Sequence, residues 1–323
     1  MLTYLTSQQV APEQYTQETK SPDVLKESVW IDLFSPSKIE EQEVEQYLDS
    51  SIPSREDMIE IELSSRLYKE KSALFMTALM IAQSDSPDPK LEPVTFVLTD
   101  EQLITVRYVE SQTFKLFTAQ VKKMTGDQKD AITLLMTLLE AAIDRLADIL
   151  ESIGNRLELF SKKIFRPHDA TQKLNYQALL QDIGANGELN TKARESLVTF
   201  NRVVLFFSQT AHTRISPEGV ARLETLSKDV LSLSDHANFL SAKVNFLLDA
   251  TLGMVSIEQN NIIKIFSVAA VIFLPPTLVA SIYGMNFHFM PELSWKYGYL
   301  FATGMILFAA WVPYKYFKHR KWL

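Results

Sequence analysis

Cysteine is absent from this chain of 323 residues. The chain therefore forms neither disulfides nor thiolate metal sites, as is typical of a protein whose soluble part stays in the cytoplasm. No Gly-x-x-x-x-Gly-Lys-Ser/Thr sequence occurs among the nine glycines, which argues against an ATP-binding loop and a nucleotide cofactor. His168, His212, His236 and His319 lack metal-ligand spacing, and no Gly-x-Ser-x-Gly motif supplies a nucleophile. These absences argue against an enzyme.

Charge is absent from residues 265–283, which read IFSVAAVIFLPPTLVASIY. At about 1.5 Å per residue, this helical stretch nearly crosses a hydrocarbon core of roughly 30 Å. A second apolar stretch, residues 297–313, is shorter and is flanked by aromatic residues suited to a membrane interface. The pattern predicts two transmembrane helices joined by a short loop, residues 284–296.

The orientation in the membrane follows from the positive charges. Lys315, Lys318, Arg320 and Lys321 follow the second span, whereas the loop carries one lysine and one glutamate. Because basic residues stay on the cytoplasmic side, we expect both termini in the cytoplasm of a multi-pass protein of the inner (cell) membrane. The first ten residues, MLTYLTSQQV, contain neither the basic nor the apolar region of a signal peptide.

The formal charge is divided unevenly along the chain. Residues 263–323 carry +5, so the preceding 262 residues carry −12 of the total −7. An acidic surface repels nucleic acid and attracts cations, although it also serves simply to keep a domain soluble. We expect no nucleic acid and no protein partner apart from further copies of the chain and the lipid bilayer.

Hydrophobic periodicity predicts an α+β cytoplasmic domain, a long α-helical stalk and two C-terminal transmembrane helices. The expected divisions are residues 1–126 for the α/β domain, 127–260 for the long helices and stalk, and 261–323 for the membrane part. Strands are predicted at residues 2–6, 29–34, 73–82, 94–99 and 103–109, and long helices at 127–165 and 171–212. Ser216, Pro217 and Glu218 form a helix start, and the helix that follows runs to about Tyr283, or roughly 100 Å.

Small and polar residues recur along one face of this last helix, which we call the stripe. It consists of Asp249, Gly253, Ser256, Asn260, Ile263, Ser267, Ala270, Leu274, Thr277, Ser281 and Gly284. Small residues also mediate close helix packing in membranes, which is the alternative for Ser267 and Ala270. Polarity that extends to Asp249 and Asn286 exceeds what packing requires. Several copies would line a tube with apolar rings at Ile263 and Leu274, and such rings gate by dewetting.

The span carries no carboxylate, so a cation that crosses it keeps its inner water shell. Pro275 and Pro276 remove two backbone donors and should distort the helix. Thr277 and Ser281 are placed to help satisfy the freed carbonyls, a second role that the sequence does not separate from pore lining.

The sequence VNFLLDATLGMVSIEQNNIIKIFSVAAVIFLPPTLVASIYGMNF, followed by FMPELSWKYGY and a terminal Lys-Trp-Leu, resembles the CorA family of magnesium transport proteins. The resemblance is close over roughly the last 85 residues. It implies a funnel-shaped homopentamer with a central pore and a periplasmic entry filter of Tyr283, Gly284, Met285 and Asn286. It also places on the pore Asn260, Ile263, Leu274, Thr277 and Ser281, and next to them Phe266 as a bulky gate residue.

Two features depart from the family pattern. His288 stands where many relatives have glutamate, so cation capture at the periplasmic mouth would depend more on Glu292. Thr225 occupies the position that would match a regulatory carboxylate of the family, so the candidates for this role are Asp249, Glu224 and Asp229. We expect Mg²⁺ to be both the transported ion and a regulatory ion that, bound between acidic cytoplasmic faces, closes the gate.

Three readings remain open from the sequence. Passive, potential-driven Mg²⁺ uptake, with Co²⁺ and Ni²⁺ also in question, is the first. A zinc or other transition-metal transporter on the same scaffold is the second; its relatives carry Gly-Ile-Asn, whereas Met285 favours magnesium and His288 suits softer ions. A membrane-tethered coiled-coil scaffold is the third, and it predicts no ion flux.

Overall fold

The computed structural model describes residues 1–15, 22–60, 62–165, 175–285, 288, 290–320 and 322. Contacts divide the chain into two units, Met1–Leu248 and Asp249–Leu323, and each is described by itself. The expected three-part division of the chain stays a prediction.

A mixed sheet forms the first part of the N-terminal unit. Its strands in the described residues are β1 (Leu2–Thr6), β2 (Glu13–Gln14), β3 (Ser28–Phe34), β4 (Leu67–Glu70), β5 (Ala73–Ala82), β6 (Lys90–Leu98) and β7 (Leu103–Arg107). They lie in the order β2-β1-β3-β7-β6-β5-β4. The β3–β7 pair is parallel and the other pairs are antiparallel. The predicted α+β domain is therefore confirmed, with an apolar core that includes Ile31, Phe75 and Ile104.

A buried ion pair joins the two parallel strands. Arg107 donates to both carboxylate oxygens of Asp32, with Nε 3.1 Å from Oδ1 and Nη2 2.8 Å from Oδ2, and the two side chains are only 12% and 5% exposed. Thr105 donates to the same carboxylate at 2.7 Å and accepts a hydrogen bond from the indole of Trp30. The guanidinium also lies over the ring of Phe34 at 4.5 Å. Each buried polar group in this network has a partner, so the network supports one register of β3 against β7.

Removing the carboxylate of this pair should be costly. Asp32→Ala is expected to lower the free energy of unfolding by about 3–5 kcal/mol, because Arg107 would stay buried without its counter-ion. The thermal unfolding temperature of the detergent-solubilised chain should fall by on the order of 10 °C. Glu110→Gln is the matched control, since its pair with Lys115 is exposed on both sides, and exposed pairs contribute at most about 1 kcal/mol. Equal losses in the two variants would contradict the assignment.

Short helices cover the sheet and its connections. Their bounds are α1 (Pro22–Glu27), α2 (Lys38–Leu48), α3 (Arg55–Ile59), α4 (Leu63–Arg66) and α5 (Gln112–Val121). Helices α2 and α3 each begin with a capping box, in which Ser37 pairs with Glu40 and Ser54 with Asp57. These local signals fix where the helices start.

Two long helices follow, α6 (Ala131–Phe165) and α7 (Tyr176–Thr210). Helix α7 is tied to β5 by two hydrogen bonds to one residue: Ser196 donates to the carbonyl of Leu79 at 2.6 Å, and Thr199 accepts from its N–H at 2.9 Å. Strand β4 pairs with β5 only as far as Met76. Polar side chains of α7 thus satisfy the backbone groups of Leu79, which lies beyond the part of β5 that pairs with β4.

Helix α8 (Pro217–Tyr283) is 67 residues long and continues from the N-terminal unit into the second one. Ser216 caps it as predicted, accepting from the N–H of Gly219 at 3.1 Å. Within the N-terminal unit, the buried Asn190 of α7 donates to the carbonyl of Ala237 and to the hydroxyl of Ser241, both in α8. The predicted long helix is confirmed, and it is anchored to α7 by side-chain hydrogen bonds.

The second unit also contains a 3-10 turn (Pro291–Ser294) and helix α9 (Gly298–His319). Helices α8 and α9 are long and apolar enough to cross a membrane, and only 6% of the apolar window of each is buried. A core helix of a soluble domain would be mostly buried, so this exposure favours the two predicted spans. Helix α9 continues six residues past the predicted end, since Pro313 lies inside it.

Candidate functional site

The stripe lies on an open face of α8. From Asp249 to Gly284, its members are exposed in the single chain. A methyl group added at Gly253 would meet no atom within 4 Å. No part of the described chain therefore covers this face.

The opposite face of the same helix segment is covered. Val268 is 3% exposed, and Ile272, Val279 and Tyr283 are half-buried. At 100° per residue, this covered face lies about 160° from the stripe. The single chain therefore packs one face of its first span and leaves the polar and small-residue face open.

The three gate candidates are large, apolar and exposed. Ile263 is 62%, Phe266 72% and Leu274 65% exposed. Ile263 and Leu274 belong to the stripe, and Phe266 lies at its border. Apolar side chains of this size, presented to a narrow aqueous path, would form the dewetting constrictions expected from the sequence.

The proline pair lies inside α8, which continues through it to Tyr283. Each proline lacks an N–H, so the carbonyls of Val271 and Ile272 lose their usual donors. The hydroxyl of Thr277 donates at 2.7 Å to the carbonyl of Phe273, the residue after the freed pair. The expectation that Thr277 satisfies a freed carbonyl is therefore wrong for this residue. The bond draws its hydroxyl back onto its own helix.

The expected filter lies at the end of α8. Gly284 donates its N–H to the carbonyl of Ala280 at 2.9 Å, and the N–H of Met285 reaches the carbonyl of Ile282 at 3.2 Å. Gly284 and Met285 are exposed. Asn286 lies outside the described residues, and the side chain of Glu292, in the 3-10 turn, is likewise not described. His288 is exposed.

The three regulatory candidates are separated along α8. Asp229 lines a cleft of about 430 Å³ between α6 and α8, together with Glu140, Asp144 and Glu218. Arg222 crosses this cleft and donates to both oxygens of Glu140, at 3.0 and 2.8 Å. Glu224 and Asp249 are exposed and do not line the cleft. The structure thus brings only Asp229 into an acidic surrounding within one chain.

This acidic cleft raises the pKa of Asp144 above its ordinary value of 3.8, first through burial and then through repulsion by Glu140, Asp148 and Asp229. A raised carboxyl pKa means that the folded state holds the proton more tightly than the unfolded state. Stability from this group therefore falls as pH rises from 3.8 through the raised pKa, and the loss persists at neutral pH.

Asp144→Asn is expected to raise the unfolding temperature at pH 7, because it removes the repelled charge. The gain should shrink as the pH is lowered towards 4, where the wild-type carboxyl binds its proton. Thermal unfolding of both proteins at the two pH values measures this. A gain of equal size at both pH values, or none at pH 7, would contradict the charge argument.

Within the described residues of one chain, no three His, Cys, Asp or Glu side chains are placed to hold a metal ion. A site with fewer of these side chains, completed by water molecules, lies outside this finding. Magnesium readily accepts such sites, since it keeps several of its waters.

Comparison with known proteins identifies the family. The family model described as "CorA-like Mg2+ transporter protein" matches residues 26–319. The chain belongs to this family. The chain is 35% identical over 306 residues to the magnesium transport protein CorA of Haemophilus ducreyi and 36% identical over 306 residues to that of Yersinia pestis. Each match covers 95% of both proteins. The family resemblance noted in the sequence is confirmed, and membership in a transporter family agrees with the expectation that the chain is not an enzyme.

Among solved structures, the complete CorA magnesium transporter of Methanocaldococcus jannaschii matches with a TM-score of 0.73 at 15% identity. The match covers all of this chain and 98% of that one. The full fold is therefore shared: an α/β domain, a long helix and two apolar C-terminal helices. The individual pore, filter and regulatory residues stay predictions.

Sequence reasoning missed two groups of side chains. Arg222 pairs with Glu140, which lies 82 positions away in the sequence. No local sequence pattern predicts such a pair. The amine of Lys264 lies 5.4 Å from the ring centre of Trp322. The terminal Lys-Trp-Leu was noted as a motif, but the contact of Trp322 with Lys264 depends on the fold.

Proposed function

We propose that the chain assembles into a homo-oligomer, a pentamer by family resemblance, in which copies of α8 surround a pore for hydrated Mg²⁺. The observation that carries this proposal is the open stripe. A polar and small-residue face that is uncovered in a membrane-spanning helix is unfavourable against lipid. Facing an aqueous axis shared with other copies removes that cost.

Exposed apolar side chains of α8 in the N-terminal unit also support assembly. Leu231 is 53%, Phe239 60% and Phe246 57% exposed. Phe239 and Phe246 are seven residues apart, which is the repeat by which neighbouring helices pack side by side. Burial of these side chains between copies would stabilise each by about 1.5–3 kcal/mol.

Transport is passive and inward in this proposal. An inside-negative membrane potential contributes about 2.3 kcal/mol per charge per 100 mV, or roughly 4.6 kcal/mol for a divalent ion. No nucleotide is needed. The ion keeps its inner water shell, because the stripe offers hydroxyls and amides but no carboxylate within the span. Co²⁺ and Ni²⁺ would follow the same path in hydrated form.

The protein would lie in the bacterial inner membrane with both termini in the cytoplasm. The cations Lys315, Lys318 and Arg320 cluster at the end of α9, which supports this orientation. The loop after α8 would then face the periplasm, with Asn286 and His288 at the pore mouth.

Regulation would come from Mg²⁺ on the cytoplasmic side. Asp229 and its acidic cleft lie on α8, the helix that continues into the first span. A divalent ion bound there, or at Asp249 between copies, would offset the repulsion and favour a closed arrangement. Loss of the ion as cytoplasmic Mg²⁺ falls would release α8 and open the gate.

Reconstitution tests the proposal. Proteoliposomes that hold a Mg²⁺-sensitive dye should show Mg²⁺ entry that increases when an inside-negative potential is imposed. Protein-free liposomes are the control. Flux of Zn²⁺ without Mg²⁺ flux would instead favour the transition-metal reading, and absence of flux for Mg²⁺, Co²⁺, Ni²⁺ and Zn²⁺ would favour the scaffold reading.

A further inference from the structure

The ends of the two apolar helices carry cations that lie over aromatic rings. In α9, the amine of Lys315 is 5.6 Å from the ring centre of Trp311, and that of Lys318 is 5.9 Å from that of Tyr314. The guanidinium of Arg320 is 5.8 Å from the ring of Tyr316. Each pair is separated by four residues, so the three rings hold three cations along one end of the helix.

Trp322 packs against α9 and lies near a fourth cation, which belongs to α8. The N–H of Trp322 donates to the carbonyl of Phe317 at 3.0 Å, and the two rings stack at 5.6 Å. This places the indole of Trp322 near Lys264 of α8, 5.4 Å from its amine. Lys264, Lys315, Lys318 and Arg320 therefore lie at the same end of the two helices, and we call these four cations the basic cluster.

These four cations have no carboxylate partner in the described part of the chain. Elsewhere, Arg107, Arg145, Arg214 and Arg222 each pair with an acidic side chain. No aspartate or glutamate occurs between Glu258 and Glu292 or after Glu292. A ring face uses none of the N–H donors of a lysine or arginine directionally, so these donors stay available for an anion.

We propose that this basic cluster binds the headgroup of an anionic glycerophospholipid. Its phosphodiester would accept from the unpaired cations, while its acyl chains would run along the exposed apolar surface of α9 at Leu307 and Phe308, which are 67% and 64% exposed. The tryptophan and tyrosine rings beside these cations are residue types that are enriched at the membrane–water interface. This surface for the acyl chains favours a lipid over free phosphate, and the inference rests on the proposed membrane embedding.

The lipid would act as a bridge between the two helices. Lys264 comes from α8, and the other cations follow the apolar part of α9. A single headgroup bound by both would hold the first span, which carries the stripe, against the second one. Each cation near an anionic surface contributes roughly fivefold in affinity.

Native mass spectrometry of the delipidated full-length protein, incubated with phosphatidylglycerol or phosphatidylcholine, tests the proposal. The wild type should retain phosphatidylglycerol at least tenfold better. The triple variant Lys315→Gln, Lys318→Gln, Arg320→Gln should lose roughly 100-fold in affinity for phosphatidylglycerol. Lys296→Gln, which removes a cation from the loop at the other end of the unit, is the matched control and should bind as the wild type does.

Further variants and competitors separate the outcomes. Lys264→Gln alone should lower the affinity about fivefold, which would show that α8 contributes. Equal retention of the two lipids, equal binding by the triple variant and the wild type, or displacement of the lipid by millimolar inorganic phosphate would overturn the proposal. The measurement needs no ion flux. A protein that binds the lipid but conducts no Mg²⁺ would refute the proposed transport and leave this inference standing.

Discussion

Asn286→Ala should reduce Mg²⁺ entry into proteoliposomes to the level of protein-free liposomes. The amide follows Gly284 and Met285, which are exposed at the end of α8. An uncharged amide can hydrogen-bond to the water shell of Mg²⁺ without stripping it, whereas a methyl group offers the hydrated ion nothing. Several copies around one axis would lose every such contact at once, so a large effect is expected.

The matched control for this change is Asn261→Ala. Asn261 is also exposed on α8. Because it follows Asn260 directly, it points about 100° away from the stripe. Its variant should conduct as the wild type does. Size-exclusion chromatography must show that both variants assemble normally. Wild-type flux through Asn286→Ala, with assembly intact, would contradict the assignment of the filter.

Leu274→Asn should raise Mg²⁺ flux under closed-state conditions, at high internal Mg²⁺, by at least about tenfold. Leu274 is 65% exposed on the stripe, and its ring of side chains would exclude water from a narrow pore. Exposing a leucine side chain to water costs about 1.5–3 kcal/mol relative to burying it, and the amide of asparagine does not carry this cost. A barrier lowered by only about 1.4 kcal/mol already gives a tenfold rate.

Leu274→Ile keeps the volume and the apolar character of this position, and it should stay closed under the same conditions. The readout is the initial rate of dye response at a series of internal Mg²⁺ concentrations. A low flux for Leu274→Asn that matches that of Leu274→Ile would show that this ring is not a gate. The same comparison at Ile263 would then decide whether the constriction lies nearer the cytoplasm.

Much of the fold was predictable because its signals are local. Residues 2–6 and 73–82 were predicted as strands with the bounds that the structure has, and α8 was predicted from its cap to Tyr283. Strands β2 and β4 were missed. Strand β2 has only two residues, both exposed, and β4 lies at the sheet edge without a buried alternation. Such strands form because a neighbour offers hydrogen bonds, which a local pattern does not reveal.

The site was predictable to a different extent. Periodicity alone placed the stripe on one face of α8, and that face is open in the structure. Predicting the acidic cleft would have required knowing that α6 and α8 lie side by side, because Arg222 and Glu140 meet only in the folded chain. The hydroxyl of Thr277 donates to the carbonyl of Phe273 rather than to a carbonyl left without a donor by the prolines. This partner depends on the local helix geometry. Long-range pairing and side-chain rotamers are thus the parts that sequence periodicity does not contain.

A single-cysteine scan tests the central claim, that the stripe faces a conducting pore. The chain has no cysteine, so Ser267→Cys and Ser281→Cys each introduce a single thiol and exchange only one oxygen for sulfur. The controls are Val268→Cys and Val279→Cys, on the covered face of the same helix. A membrane-impermeant thiol reagent should reduce Mg²⁺ flux to background in the two stripe variants and leave the controls unchanged. Equal block in both sets, or block confined to the valine positions, would contradict a pore lined by the stripe.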